Sequence, residues 1–190
     1  MNPNKIIIHH SATTDNRALK DFDAIKNSHL RLGYRNIGYH YVVESVDNEY
    51  KTIAGRAENE TGAHTVGQNN NSIGICLVGN FTYNEPPQGQ LKATANLIKD
   101  IYSRHGKLPI YGHKDFNATQ CPGNKFNMDK LKQMVEVNEL EEYTDINAIA
   151  WELGHRGIIS DNDLWIGKAN VDTDIYWLMR KMVHYVRQRD

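Results

Sequence analysis

Cysteine is scarce in this chain: Cys76 and Cys121 are the only two in 190 residues. That excludes a disulfide framework, although one bridge between them is not barred by number alone. Their settings differ. Cys76 lies in the apolar run Ile73-Gly74-Ile75-Cys76-Leu77-Val78, and Cys121 lies in a polar loop before Pro122. No apolar run approaches the roughly 20 residues needed to cross a bilayer, so membrane insertion is not expected. The amino terminus, Met1-Asn2-Pro3-Asn4-Lys5 followed by three isoleucines, is too short for a secretory leader. The expectation is a chain made and first held in the cytoplasm. An excess of charge is also missing, with a formal net charge of −1. That argues against a nucleic-acid partner held by phosphate neutralisation. Tryptophan is absent until residue 151, and all three, Trp151, Trp165 and Trp177, fall in the last quarter of the chain. There is no internal repeat and no low-complexity tract.

Strand and helix signals alternate over the first two-thirds. Lys5 to His9 is a short β-branched run. Thr13-Thr14-Asp15 is rich in helix-capping residues, and a helix is expected over 21–32, with Ala24, Ile25, Ser28 and Leu32 as its apolar stripe and Gly33 as its stop. Tyr39 to Val46 and Tyr50 to Ala54 read as a hairpin turned by Asp47-Asn48. Ser72 to Val78 is continuously apolar and so is placed centrally in the sheet. Gln88 to His105 predicts a long helix with Leu91, Ala95, Ile98, Ile101 and Tyr102 on one face. Leu108 to Tyr111 leads into Gly112-His113, and Met128 to Leu140 closes the core. The fold class is α/β, a mixed central β-sheet flanked by helices. The boundary is set at 138/139, amid the acidic Glu136, Glu139, Glu141 and Glu142. Residues 139–190 then form a small helical segment. One helix is capped by Thr144-Asp145 and buries Ile146, Ile149, Ala150 and Leu153. A second runs over 172–188, with Ile175, Leu178, Met179, Met182, Val183 and Val186 as its stripe. From Thr144 onward fewer than 50 residues remain, and so short a piece rarely holds a core alone. This segment is expected to pack on the first domain, on a partner or on a second copy of itself, which makes it a candidate homodimer element.

Two distant segments carry the chemistry. Ile8-His9-His10-Ser11 ends a strand, and Gly112-His113-Lys114-Asp115 is followed by Cys121-Pro122-Gly123. Two imidazoles and a thiolate make a zinc ligand set with an open fourth position. Strand alternation sends the rings of His9 and His10 to opposite faces, so only one of them can serve. His113 and Cys121, eight positions apart across a polar loop, can bend around one ion.

Ile8-His9-His10-Ser11-Ala12-Thr13, Gly38-Tyr39-His40, Gly62-Ala63-His64, Asn71-Ser72-Ile73-Gly74-Ile75 and Gly112-His113 through Cys121-Pro122-Gly123 occur in that order. Together they resemble the zinc-dependent N-acetylmuramoyl-L-alanine amidases, a family that includes phage endolysins and shares its fold with the peptidoglycan recognition proteins. The likeness spans roughly residues 5–135. It implies a catalytic domain over 1–138, zinc held by His9, His113 and Cys121, and His10 turned away from the metal. It implies a substrate in the bacterial wall, with cleavage between the muramoyl lactyl group and L-alanine. Tyr39 matches the family's motif tyrosine and is the expected oxyanion donor. Thr119 stands where some relatives carry lysine, which leaves the leaving-group proton without a clear source. His64 and Asn71 are the expected substrate contacts, Asp115 a support for the His113 loop, and Glu44 a solvated strand carboxylate on the face opposite Tyr39.

The three tryptophans allow two readings of residues 139–190: a wall-binding module that stacks sugars, or a small core filled by indole rings. The leading expectation is an endolysin that reaches the wall through a holin pore. The alternatives are a cytosolic amidase for recycled muropeptides and a peptidoglycan-binding protein without catalysis. Cys121 argues against the last.

Overall fold

The computed structural model describes residues 1–13, 21–136, 146–171 and 173–187. Strand β1 (Lys5–His10) pairs in parallel with β4 (Ser72–Leu77) on one side and with β5 (Ile110–Gly112) on the other. Strand β2 (Tyr41–Val46) runs parallel to β4 and antiparallel to β3 (Glu49–Ala54), giving the five-stranded order β3-β2-β4-β1-β5. Asp47 and Asn48 both take positive φ, 54° and 63°, the conformation of a tight two-residue hairpin turn. All six residues of β4 are buried, as its unbroken apolar run predicts for the middle strand.

Two layers cover the sheet. On one face Ile6, Ile8, Ile73, Ile75 and Leu77 meet helix α2 (Gln88–His105), which buries Leu91, Ala95, Ile98 and Ile101. Helix α3 (Met128–Glu136) adds Leu131 and Val135. Each isoleucine or leucine so buried contributes about 1.5–3 kcal/mol over exposure. Gln90 ties helix to sheet, its buried side-chain amide donating to the carbonyls of Val43 and Val78. The other face holds the smaller cluster of Ile37, Val42, Cys76 and Val78 against Phe22, Ile25 and Tyr39. Phe22 and Ile25 belong to helix α1 (Asp21–Arg31). The stripe expected for this helix is corrected: Ala24 and Ser28 are exposed and Leu32 is 69% exposed, because Phe22 and Ile25 set the packed side. Gly33 ends α1 at φ 87° as expected. The Thr14-Asp15 caps lie outside the described residues.

Glu44 also departs from expectation. It is fully buried, and its Oε2 accepts the backbone N–H of Phe22 at 2.6 Å, at the first turn of α1 where a negative charge is favoured. Strand β2 begins only at Tyr41, so alternation does not extend back to Tyr39, and Tyr39 and Glu44 share the α1 side of the sheet.

Away from that side, Glu58 gathers Tyr41, Arg104 and His105. It accepts from Tyr41 Oη at 2.6 Å, from Arg104 at 2.7 Å, and lies 2.6 Å from His105 Nε2. Burial pushes its carboxyl up, but the bonds from Arg104, Tyr41 and His105 outweigh it and hold the pKa at about 2, against an ordinary 4.5. A carboxyl depressed on folding stabilises the fold above its unfolded value and loses that effect as pH falls through its folded one. Glu58→Gln is therefore expected to flatten the loss of stability between pH 4.5 and 2 in urea titrations. An unchanged acid slope would show that the cluster does not couple to folding.

The chain divides into two compact units, Met1–Val135 and Glu136–Asp190. The second is built from α4 (Ile146–His155), α5 (Asn162–Val171) and α6 (Thr173–Arg187). Its core contains Ile149, Ala150, Leu153, Ile159, Met179 and Val183. Helix α5 was not expected, because its apolar residues form no stripe; Asp161 Oδ1 accepts the Leu164 N–H at its start. Leu178 is 50% exposed and falls outside the packed face of α6. Trp151 is 62% exposed and stacks on His155, while Trp165 is partly buried against the core with Lys168 over its ring. Filling a core is thus not what Trp151 does. The Trp177 and Val186 side chains, the Thr144-Asp145 cap and the acidic run after Glu136 lie outside what is described. No described helix is long and apolar enough to cross a membrane.

Candidate metal centre

Strand β1 ends at the centre of the site. Ile8 pairs with Gly112, so the residue after each, His9 and His113, emerges at the same end of neighbouring strands. Their rings lie 4.5 Å apart. A 3-10 turn over His113–Asp115 then reverses the chain, and Asp115 Oδ2 fixes it by accepting the Gly112 N–H at 2.8 Å. Asp115 thereby supports the His113 loop as expected. Lys114 N–H reaches back to the Cys121 carbonyl at 2.8 Å, which folds the eight-residue loop onto itself. The Cys121–Pro122 bond is cis. Cys121 Sγ comes to rest 3.7 Å from His9 Nδ1.

One donor atom each from His9, His113 and Cys121 lies within 4.8 Å of the others, a group that could hold a metal ion. His9 is 1% exposed and Cys121 9%. Burial, then the nearby His64, His113 and His10, holds the His9 pKa well below its ordinary value. Burial lowers His113 too, against a smaller opposing effect of Asn117. Both imidazoles are therefore neutral at physiological pH and offer lone pairs. Burial pushes the Cys121 thiol up to about 11, partly offset by the His10 backbone N–H, which donates to Sγ at 3.4 Å. A cation in the cluster would reverse that and favour the thiolate.

The outer nitrogens of both rings are occupied. His113 Nε2 lies 3.0 Å from Asn117 Oδ1, an acceptor, so Nε2 carries the proton and Nδ1 the lone pair. His9 Nε2 lies 3.1 Å from His64 Nδ1 and 3.3 Å from Thr65 Oγ1. Asn117, Thr65 and the His10 amide were not anticipated. The spacing of His113 and Asn117, four residues apart across one helical turn, is the single signal that could have found one of them.

His10 is turned away, its Nδ1 accepting the Phe81 N–H at 3.1 Å. Tyr39 lies beside His9, ring centroids 5.2 Å apart. Burial first, and then Cys76 and Cys121, keeps its phenol protonated well above the ordinary range. Thr119 is exposed, and its Oγ1 accepts the Cys121 N–H at 3.2 Å. His64 packs directly behind His9, and burial pulls its pKa down to about 3. Asn71 is not brought to the cluster. It precedes β4 and its carbonyl accepts from Asn4 N–H, at the end of the strands where β1 begins, whereas His9 lies near the other end of β1. At about 3.3 Å per residue the span is ~16 Å.

A family profile described as N-acetylmuramoyl-L-alanine amidase matches residues 1–124. Peptidoglycan-recognition protein SC2 of Drosophila melanogaster is 33% identical over 126 residues, which is 62% of this chain and 66% of that protein, just under two-thirds of its length. Among solved structures, N-acetylmuramoyl-L-alanine amidase LysC from Clostridium intestinale superposes with a TM-score of 0.63 at 28% identity, over 72% of this chain and 87% of its own. Bumblebee PGRP-SA gives 0.62 at 28%, over 72% and 84%. A match to residues 1–124, carried on the same α/β sheet, places this chain in the N-acetylmuramoyl-L-alanine amidase family.

Proposed function

We propose that this protein is a zinc-dependent amidase of the endolysin type, cleaving the bond between the muramoyl lactyl carbonyl and L-alanine in peptidoglycan. The observation that carries the reading is the convergence of His9, His113 and Cys121. The donors suit zinc in kind, and the pair His9 and Cys121 suits it in spacing. Across a tetrahedral zinc at usual bond lengths a nitrogen and a sulfur stand ~3.6 Å apart, and His9 Nδ1 and Cys121 Sγ are 3.7 Å apart. Zinc bound there supplies Lewis acidity toward the amide carbonyl and lowers the pKa of a water toward neutrality.

The chain's own groups do the rest. Water adds its hydroxyl to the lactyl carbonyl, the C–N bond breaks, and a proton passes to the leaving α-amine of L-alanine. Tyr39, protonated throughout the working pH range, donates to the developing oxyanion. Thr119 spends its oxygen lone pair on the Cys121 N–H and so retains a hydroxyl proton to direct at the substrate. No lysine stands at that position, so the proton for the amine comes by way of water or this hydroxyl. The second unit, with exposed Trp151 on its surface, carries the enzyme to the wall, reached from the cytoplasm by release through a pore.

The test is digestion of defined peptidoglycan by the full chain, with products identified by mass. Expected are new L-alanine amino termini and intact glycan strands, lost on chelation and restored by zinc. Products cut elsewhere would overturn the bond assignment. Equal, negligible release before and after zinc would favour a binding protein of the peptidoglycan-recognition kind.

A further inference from the structure

His64 is held in a slot that only glycines can form. A Cβ on Gly74, in the middle of buried β4, would lie 2.5 Å from His64 Cδ2 and 2.6 Å from its Cγ. A Cβ on Gly62 would lie 2.5 Å from the same Cδ2. Glycine within a strand costs stability, and close approach by another group is a standard reason for it. The third wall is His40, whose ring meets His64 edge-on at 5.6 Å. His40 is itself fixed, with Nδ1 accepting the Gly74 N–H at 3.0 Å and Nε2 lying 3.0 Å from the Glu60 carbonyl. The loop is pinned as well, because Asn69 Oδ1 accepts from the N–H groups of both His64 and Thr65 at 2.8 Å.

What this slot delivers is one nitrogen. His64 Nδ1 stands 3.1 Å from His9 Nε2 and 3.0 Å from Thr65 Oγ1, and Thr65 Oγ1 stands 3.3 Å from His9 Nε2. A metal-ligating histidine normally gives its second N–H to a carboxylate or a backbone carbonyl. Here the acceptors are an imidazole and a hydroxyl, and both are uncharged.

We propose that His64 is a positioning residue: with Thr65 it accepts the Nε2–H of His9, fixing the tautomer that aims the Nδ1 lone pair at Cys121 and the metal. This rests on the metal reading given above. An uncharged acceptor holds the ring without the electron donation of a carboxylate, which leaves the bound ion more electrophilic. The Gly62 and Gly74 positions are explained by the same ring.

The first measurement needs no variant. Long-range proton–nitrogen correlation spectra of the metal-free full chain should show His9 as the Nε2–H tautomer. The Nδ1–H form, or an even mixture, overturns the proposal. The second is zinc affinity by competition with a chromophoric chelator. His64→Ala should lose roughly 10–100-fold, as partners one layer behind a ligand do. His64→Asn places a carbonyl oxygen where Nδ1 stood and should recover most of that. Gly74→Ala, which displaces the ring without removing it, should resemble His64→Ala. Wild-type affinity in His64→Ala, or loss in His64→Asn as deep as in His64→Ala, overturns the hydrogen-bonding role. Neither readout uses substrate, so failure to cleave peptidoglycan would defeat the amidase reading and leave this one standing.

Discussion

Cys121→Ser is expected to lower zinc affinity by more than about 100-fold, since even groups one layer behind a ligand cost 10–100-fold, and to reduce amide hydrolysis to background at micromolar zinc. Serine keeps the size and can still accept the His10 N–H that now reaches Sγ at 3.4 Å. The metal-free fold should therefore survive. What is lost is the thiolate, the only anionic donor in the set of His9, His113 and Cys121. A ligand that binds only the folded state raises stability by about 2.7 kcal/mol at one hundred times its Kd. The clearest readout is thus the rise in Tm on adding zinc, present in the wild type and collapsed in the variant. A variant with a full zinc complement and full turnover would remove Cys121 from the site.

Tyr39→Phe should keep zinc and lose turnover, about 10²–10³-fold in kcat, the effect of deleting one oxyanion donor, or ~2.7–4 kcal/mol. The ring contact with His9 at 5.2 Å survives the change, so the histidine stays seated. Only the hydroxyl goes, and its high pKa shows that it is present as a donor rather than as phenolate. A fall in kcat with KM little changed marks a bond made in the transition state. A rise in KM alone would make Tyr39 a substrate-binding group, and unchanged kinetics would exclude it.

The scaffold was legible where pattern and burial coincide. Helix α2 occupies its expected span because one face of Gln88–His105 is apolar at helical spacing. Strand β4 is central because nothing polar interrupts Ile73 to Leu77. Helix α5 was not legible, since no periodicity marks it. Around the site the difficulty was different. The residues now gathered near His9 were visible as motifs, but which of them touch each other depends on loops that obey no period. His64 and Asn71 looked alike as polar residues near the same glycine-rich stretch. The turn at Thr65–Gln68 sends one behind His9 and the other to the far end of β1. Alternation does not place Glu44 opposite Tyr39, because the backbone has left the strand before Tyr41.

The metal donors are separated by most of the first unit: His9 Nδ1 meets a sulfur 112 residues further along the chain. Strand β1, made first, has no partner until β4 and β5 exist. During synthesis His9 therefore waits, and the donor set comes into being only after residue 121 has emerged and the sheet has closed around β1. Contacts of such long sequence separation form slowly, because the entropy of closing the intervening chain must be met first. An ion held by these three donors would find them together only then, so an unfinished chain would lack the proposed hydrolytic centre.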